Sequence, residues 1–363
     1  MKGLGMGKRA ERVDERDTIF SRMALVPGSR VSDDYYARHP GRWQADDALR
    51  ALPELCGQGS RTYHPENSLY APAIFRLLAR WRPLVETAAA GGAGLQDPHA
   101  TSERLKGLAR YYGAHAAGIT ALAPEFTYSH AGRGDDYGRE IAPSHRYALV
   151  FTVAMDYRHL LAAPGLPVVA ESARQYLEAA KVALAVAANV SALGGAARAH
   201  LDGSYLAVLP PLAVLAGLGE IGRPGILVTP DLGPRVRLGM VTTDLPLNAD
   251  RPRPLGLQEF CRTCGKCARN CPAQAISREP AAPAAGWQVQ ADRCYRFWRQ
   301  TGTDCAICLI SCPYSRPLSP LQRLLRAAAG RSAPARRIAP RLDDIVYGRR
   351  PFRRWAPEWF ADP

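Results

Sequence analysis

The segment Tyr147–Met155, YALVFTVAM, is a near-continuous apolar run of strand length, the pattern of a strand covered on both faces. An alanine-rich stretch from Glu171 to Leu193 reads as a long helix ending at Gly194-Gly195. Around these two, the pattern predicts a helix from Ser102 to Tyr112 with Ser102 as its cap and Gly113 at the C′ position. It also predicts strands at His115–Leu122, near Gly225–Thr229 and at Val236–Thr243. Together they make a mixed α/β domain over residues 101–251. Residues 1–100 read as short helical and irregular pieces, among them a helix Pro72–Trp81 with its proline at the tolerated first turn. Ala88–Glu103 reads as a linker, small and polar. Residues 252–316 are rich in Cys, Gly and Pro and too poor in apolar periodicity to form a core without metal. Residues 317–363, rich in Arg and Pro, are expected to wrap the surface.

The longest apolar stretch, Tyr205–Gly219, is too short to span a bilayer and contains Pro210-Pro211, so no transmembrane helix is expected. Eight of the nine cysteines fall between Cys261 and Cys312; a disulfide-stapled secreted domain would be shorter and would scatter them. The N-terminus turns acidic just after Lys8-Arg9 and lacks an apolar leader core, and the expected compartment is the reducing cytoplasm.

The cysteine spacing carries the strongest chemical signal. Cys261-x2-Cys264-x2-Cys267-x3-Cys271-Pro272 is the bacterial ferredoxin run, in which the fourth cysteine ligates the other cluster. Cys294-x10-Cys305-x2-Cys308-x3-Cys312-Pro313 repeats the ending with its first cysteine displaced upstream. By that rule Cys261, Cys264, Cys267 and Cys312 hold one [4Fe–4S] cube, and Cys271, Cys294, Cys305 and Cys308 the other. Four thiolates also suit zinc, but two quartets ending in Cys-Pro are a poor zinc-ribbon pattern. Two cubes move single electrons and do no substrate chemistry, so the α/β domain must supply a second cofactor or a docking surface.

Residues 104–316 resemble the cobalamin-dependent reductive dehalogenases and their relatives, the epoxyqueuosine reductases. The resemblance rests on Ala216-Gly217-Leu218-Gly219-Glu220-Ile221-Gly222-Arg223, Gly225–Pro230, Gly233-Pro234-Arg235-Val236-Arg237-Leu238 and Thr242–Leu247. It extends to the spacing of all eight cysteines, with Trp298 and Gly302-Thr303-Asp304 in the long gap after Cys294. It implies an α+β molecule: a nitroreductase-like α/β cobalamin domain, with the corrinoid beside the first cube, and a ferredoxin-like 2[4Fe–4S] domain. It implies a corrinoid held without the Asp-x-His-x-x-Gly histidine, and this chain has one Asp-x-His, Asp97-Pro98-His99, with no Gly at the required place. Gly217, Gly219, Gly222 and Gly225 would let the backbone approach the flat macrocycle; ordinary turns are their other reading.

In the family a tyrosine gives the proton and a basic residue tunes it. Tyr176, on the alanine-rich helix, lies where that tyrosine is expected. Arg235 and Arg237 stand two apart on a strand and so on one face; one of them, with Arg235 as the candidate, favours the tyrosinate by charge or binds a substrate carboxylate or a leaving halide, and surface ion pairs are the alternative. Asp202 matches by position the acid of the epoxyqueuosine branch, though Asp-Gly is also a turn signal. His200 reads as a structural hydrogen-bonding group, and Cys56 as a small buried apolar residue. Asp156-Tyr157 is either a lining of the cofactor pocket or a cap.

The expected activity is reduction of a small organic molecule, with halogenated ones among the candidates. The alternatives are an epoxyqueuosine-reductase-like enzyme on tRNA and a non-catalytic electron carrier. Lys and Arg exceed Asp and Glu by 47 to 33, a net +14. Ten arginines lie between Arg323 and Arg354 with Tyr347, Phe352 and Trp355 interleaved. Such a tail suits an acidic ferredoxin or flavodoxin donor or, less well, nucleic acid, and also matches an arginine-heavy genome.

Overall fold

The computed structural model describes residues 11–90, 97–142, 144–280 and 287–361. Seven strands are formed: β1 (Glu86–Thr87), β2 (Ala116–Ala121), β3 (Tyr147–Ala154), β4 (Ala197–His200), β5 (Glu220–Ile221), β6 (Leu227–Val228) and β7 (Val236–Thr243). Five of them build one sheet in the order β1-β4-β7-β3-β2, with every neighbouring pair antiparallel. β5 and β6 form a separate ribbon.

The interior strand β3 is covered on both faces, as its unbroken apolar run requires. Leu149, Phe151 and Val153 face the helix Leu166–Ala192, whose Ala179, Ala180, Ala183 and Ala187 pack in the same core. Ala148 and Val150 face Leu212, Ala213 and Ala216 on the other side. The small side chains let helix and sheet approach closely. Phe151 lies opposite Gly239 on β7, where a Cβ would come within 2.2 Å of its ring.

Several element boundaries differ from the sequence expectation. The helix expected from Ser102 begins at Pro98, inside the supposed linker, because Asp97 caps it and Pro98 takes the first turn. Ser102 instead donates to the Pro98 carbonyl at 2.7 Å. The long helix likewise starts early, at Leu166, with Pro167 in its first turn. β4 was not expected; its four residues are too short for a periodic signal, and pairing with β7 makes it a strand. The expected strand near Gly225–Thr229 shrinks to the two residues of β6.

The final segment is more ordered than a surface wrap. It forms helices Pro320–Arg331 and Ala333–Tyr347, the second with Pro340 inside it. Their anchor is buried: Lys266 meets Asp343 at 2.5 Å and Asp344 at 2.7 Å, and Arg316 meets Asp343 at 2.6 Å. The N-terminal residues are tied to the cysteine-rich part as well. Arg299 donates to the Leu52 and Pro53 carbonyls, Cys56 N–H donates to the Gly302 carbonyl at 2.8 Å, and Arg22 joins Asp46 to Asp292. Among the described residues no helix is long and apolar enough to cross a membrane.

Candidate active site and cluster module

Helices Leu257–Cys264 and Lys266–Asn270 meet at Gly265, whose left-handed backbone (φ 58°) turns Cys264 and Cys267 toward each other. Cys305 and Ala306 hold φ 58° and 52°, uncommon for residues with a side chain, before the short helix Ile307–Ser311. All eight thiols are free, buried or half-buried. Cys261, Cys264 and Cys312 share one apolar cluster with Phe260 and Tyr314, while Cys267, Cys271 and Cys308 share another. Burial pushes the Cys312 thiol far up, and the next causes are Cys261, Cys264 and Cys267. Burial does the same to Cys308, followed by Cys305, Cys267, Cys294 and Cys271. Neighbourhood thus gathers the sulfurs into the two sets that the spacing suggests, touching at Cys267. Among the described residues no three metal-binding side chains converge as they would on one ion. Cys267 and Cys305 are pushed up to about 12 by burial, so only a bound metal would ionise them.

The second set adjoins a polar constellation through one dipeptide, Asp304-Cys305. Arg237 donates to Asp304 Oδ2 at 2.8 Å and to Ser172 Oγ at 2.6 Å, and Ser172 itself donates to Asp304. The Arg237 guanidinium carbon lies 4.9 Å from the centre of the Tyr176 ring. Arg237 draws the Tyr176 phenol down, burial and the carboxylates Asp202 and Asp304 push it up, and the net is upward. Tyr205 is raised well above its ordinary value, first by burial and then by Tyr176 and Asp202. Tyr176, Tyr205, Asp202, Arg237 and Asp304 therefore form one neighbourhood. Arg237, although surrounded by protein, keeps 23% of its side chain accessible, and Asp304 10%. Arg237 Nε and Asp304 Oδ1 are buried without a partner. Such orphaned polar atoms beside a half-buried phenol suit a bound polar group.

Arg235 is not part of it. Its Nε donates to the Ser315 carbonyl at 2.6 Å, its Nη1 to the Met155 carbonyl at 2.8 Å, and it stacks on Tyr157. The two arginines engage different surroundings because Arg235 precedes β7 and turns to the cysteine-rich segment. The tyrosine's cation is Arg237.

The four glycines expected to admit a macrocycle are filled by the chain itself. A Cβ at Gly219 would fall 2.3 Å from the Val228 carbonyl oxygen, at Gly217 2.7 Å from that of Arg251, and at Gly222 2.9 Å from the Val228 side chain. Gly225 faces Val289 at 3.3 Å. The ribbon β5–β6 instead grips the cluster module. Glu220 accepts from the Leu255 and Leu257 amides at 2.9 and 2.8 Å, at the start of the helix that carries Cys261. Arg223 donates to the Cys261 carbonyl and stacks on Trp287.

His200 is structural. Its Nδ1 accepts from Leu206 N–H, its Nε2 meets Thr242 Oγ1 at 3.1 Å, and burial holds its pKa well below the ordinary value. Asp156 caps the helix Tyr157–Leu161. Cys56 is buried and its thiol is pushed up to about 12 by burial. The sequence pattern points to no role for Ser172, Tyr205 or Asp304, although all three lie inside segments singled out above.

The 4Fe–4S dicluster domain family matches residues 260–315. The tetrachloroethene reductive dehalogenase of Desulfitobacterium hafniense is 36% identical over 203 residues, covering 52% of this chain and 36% of that protein. The catabolic reductive dehalogenase NpRdhA, solved with 3-bromo-4-hydroxybenzoic acid, superposes with a TM-score of 0.76 at 27% identity, covering 97% of this chain and 48% of that one. A reductive dehalogenase structure described as suggesting a mechanism for B12-dependent dehalogenation gives 0.75 at 27% identity, covering 97% and 48%. The chain spans about half the length of these solved relatives and about a third of the tetrachloroethene enzyme. In its α+β architecture, its dicluster domain and 97% of its length the chain is similar to the reductive dehalogenases, over about half of the solved enzymes.

Proposed function

We propose that the chain is a corrinoid- and iron–sulfur-dependent reductase that removes a substituent, most simply a halide, from a small organic molecule. The carrying observation is the Tyr176–Arg237–Asp304 constellation joined directly to Cys305. In this reading Cys261, Cys264, Cys267 and Cys312 hold one [4Fe–4S] cluster, and Cys271, Cys294, Cys305 and Cys308 the other. The corrinoid and substrate then lie beside Tyr176 and Tyr205, next to the second cysteine set rather than the first as the resemblance implied, with Arg237 Nε and Asp304 Oδ1 as their free polar contacts; the Gly217–Gly225 ribbon does not serve. The corrinoid supplies the two-electron reduction of a carbon–halogen bond. The protein's part is the proton. Tyr176 holds it at its hydroxyl oxygen, and Arg237 stabilises the tyrosinate left behind. Asp304 and Ser172 fix Arg237 in place. The donor is an acidic ferredoxin or flavodoxin, and a reducing compartment keeps the eight thiols free for iron.

Anaerobic reconstitution with iron, sulfide and hydroxocobalamin tests this. We expect about eight iron per chain, as two four-thiolate cubes require, corrinoid absorption bands, and halide release from bromophenols with reduced methyl viologen. Half that iron, stoichiometric zinc, or turnover of epoxyqueuosine tRNA alone would overturn the reading.

A further inference from the structure

The C-terminal helices do more than cover the cluster module: they frame an opening onto one of its cysteines. A recess of about 360 Å³ has Cys264 in its wall and Arg269, Arg337 and Arg341 around it. The three arginines are exposed. Arg269 donates to the Cys264 carbonyl at 2.6 Å, and among the described residues none of the three has an acidic partner. The one carboxylate there, Asp344, is committed to Lys266 at 2.7 Å. Beside the recess the helix Ala333–Tyr347 exposes Ile338, Leu342, Ile345 and Val346. An apolar patch next to unpaired cations is the composition of a transient interface for an acidic partner.

We propose that this face is the docking site of a small acidic one-electron carrier, a reduced flavodoxin or ferredoxin, which delivers electrons to the cluster that Cys264 ligates. The inference rests on the cluster assignment above and adds the place of entry. Three features favour such a carrier. Unpaired arginines around a concave opening steer an acidic protein and hold it in register. The opening has Cys264 in its wall, so a carrier seated there stops close to the cluster that this residue ligates. Cys264 also sits in the set that meets Cys271 and Cys308 through Cys267, and Asp304-Cys305 lies beyond. Each encounter oxidises the carrier by one electron and reduces the cluster by one; two encounters supply a two-electron reduction.

The test uses the full-length, cluster-loaded protein and a reduced acidic flavodoxin, reading binding affinity and the rate of cluster bleaching. Arg337→Glu/Arg341→Glu should weaken binding at low salt at least tenfold, slow bleaching by flavodoxin to match, and flatten the salt dependence of affinity. Arg337→Lys/Arg341→Lys should retain most of both. Iron content and bleaching by reduced methyl viologen should not change in either. Arg323→Glu, an exposed arginine on the neighbouring helix, should bind as the parent does. An unchanged flavodoxin affinity in the double reversal overturns the proposal. So does an equal loss in Arg323→Glu, or a loss of affinity for an RNA hairpin with flavodoxin binding intact. None of these readings requires halide release, so failure of docking and failure of the proposed reaction are separate results.

Discussion

Tyr176 enters any reaction as a neutral phenol, because burial and two nearby carboxylates outweigh the pull of Arg237. A neutral phenol can give a proton, and a guanidinium 4.9 Å from its ring eases the charge that remains. Tyr176→Phe should therefore keep both clusters and any bound corrinoid while turnover falls on the order of 10²–10⁴-fold, the usual worth of a positioned acid. The sign of the pH dependence follows from the upward shift. The donor form persists through neutral pH, and the rate should fall only on the alkaline side, above the phenol's ordinary value of 10.0. Arg237→Ala removes the one strong downward influence, so it should lower the rate and move that alkaline limb further up. A pH profile with reduced methyl viologen as donor checks both. If Asp202→Asn is the damaging change and Tyr176→Phe is silent, the proton comes from Asp202. Arg235→Ala should act on stability instead, since it strands the buried Ser315 and Met155 carbonyls. The expected cost is about 1–3 kcal/mol for each unsatisfied group, seen as a lowered Tm.

At the scale of elements, the sequence was most readable where burial is symmetrical and least where a contact from elsewhere decides. β3 and the alanine-rich helix announce themselves by composition, and both exist as expected apart from the earlier helix start at Leu166. The cysteine sets were legible because cluster spacing is a covalent demand, written locally in the chain. The choice of Arg235 over Arg237 as the tyrosine's cation is corrected by the structure, because it depends on Ser315 and Asp304, some 80 and 67 residues away. The glycines of the Gly217–Gly225 ribbon signalled close approach correctly. What approaches is the chain's own backbone at Val228 and Arg251. Because Glu220 and Arg223 hold the helix carrying Cys261, Glu220→Gln should loosen that helix. Limited proteolysis within residues 255–265 should accelerate, with little change in the sheet's circular dichroism.

For the molecule as a whole, the cysteine-rich segment has partners on every side. The N-terminal residues clasp Arg299 and Gly302, the ribbon holds Cys261, and the C-terminal helices reach Lys266 through Asp343. Cys264→Ala should consequently disturb more than one cluster. Losing a thiolate frees the segment with the smallest apolar core, and the proteolysis pattern across residues 255–316 should change.

The buried Lys266–Asp343–Arg316 group gives the chain a direction in time. Asp343 joins two buried cations and is the one carboxylate paired with Arg316 among the described residues, and breaking such a group by removing one partner costs about 3–5 kcal/mol. It is also synthesised after all eight cysteines. The clamp on the helices around Cys264 and Cys267 is thus encoded downstream of every cysteine it steadies, so a chain cut short before Asp343 should still take up iron on reconstitution but lose it faster than the full chain.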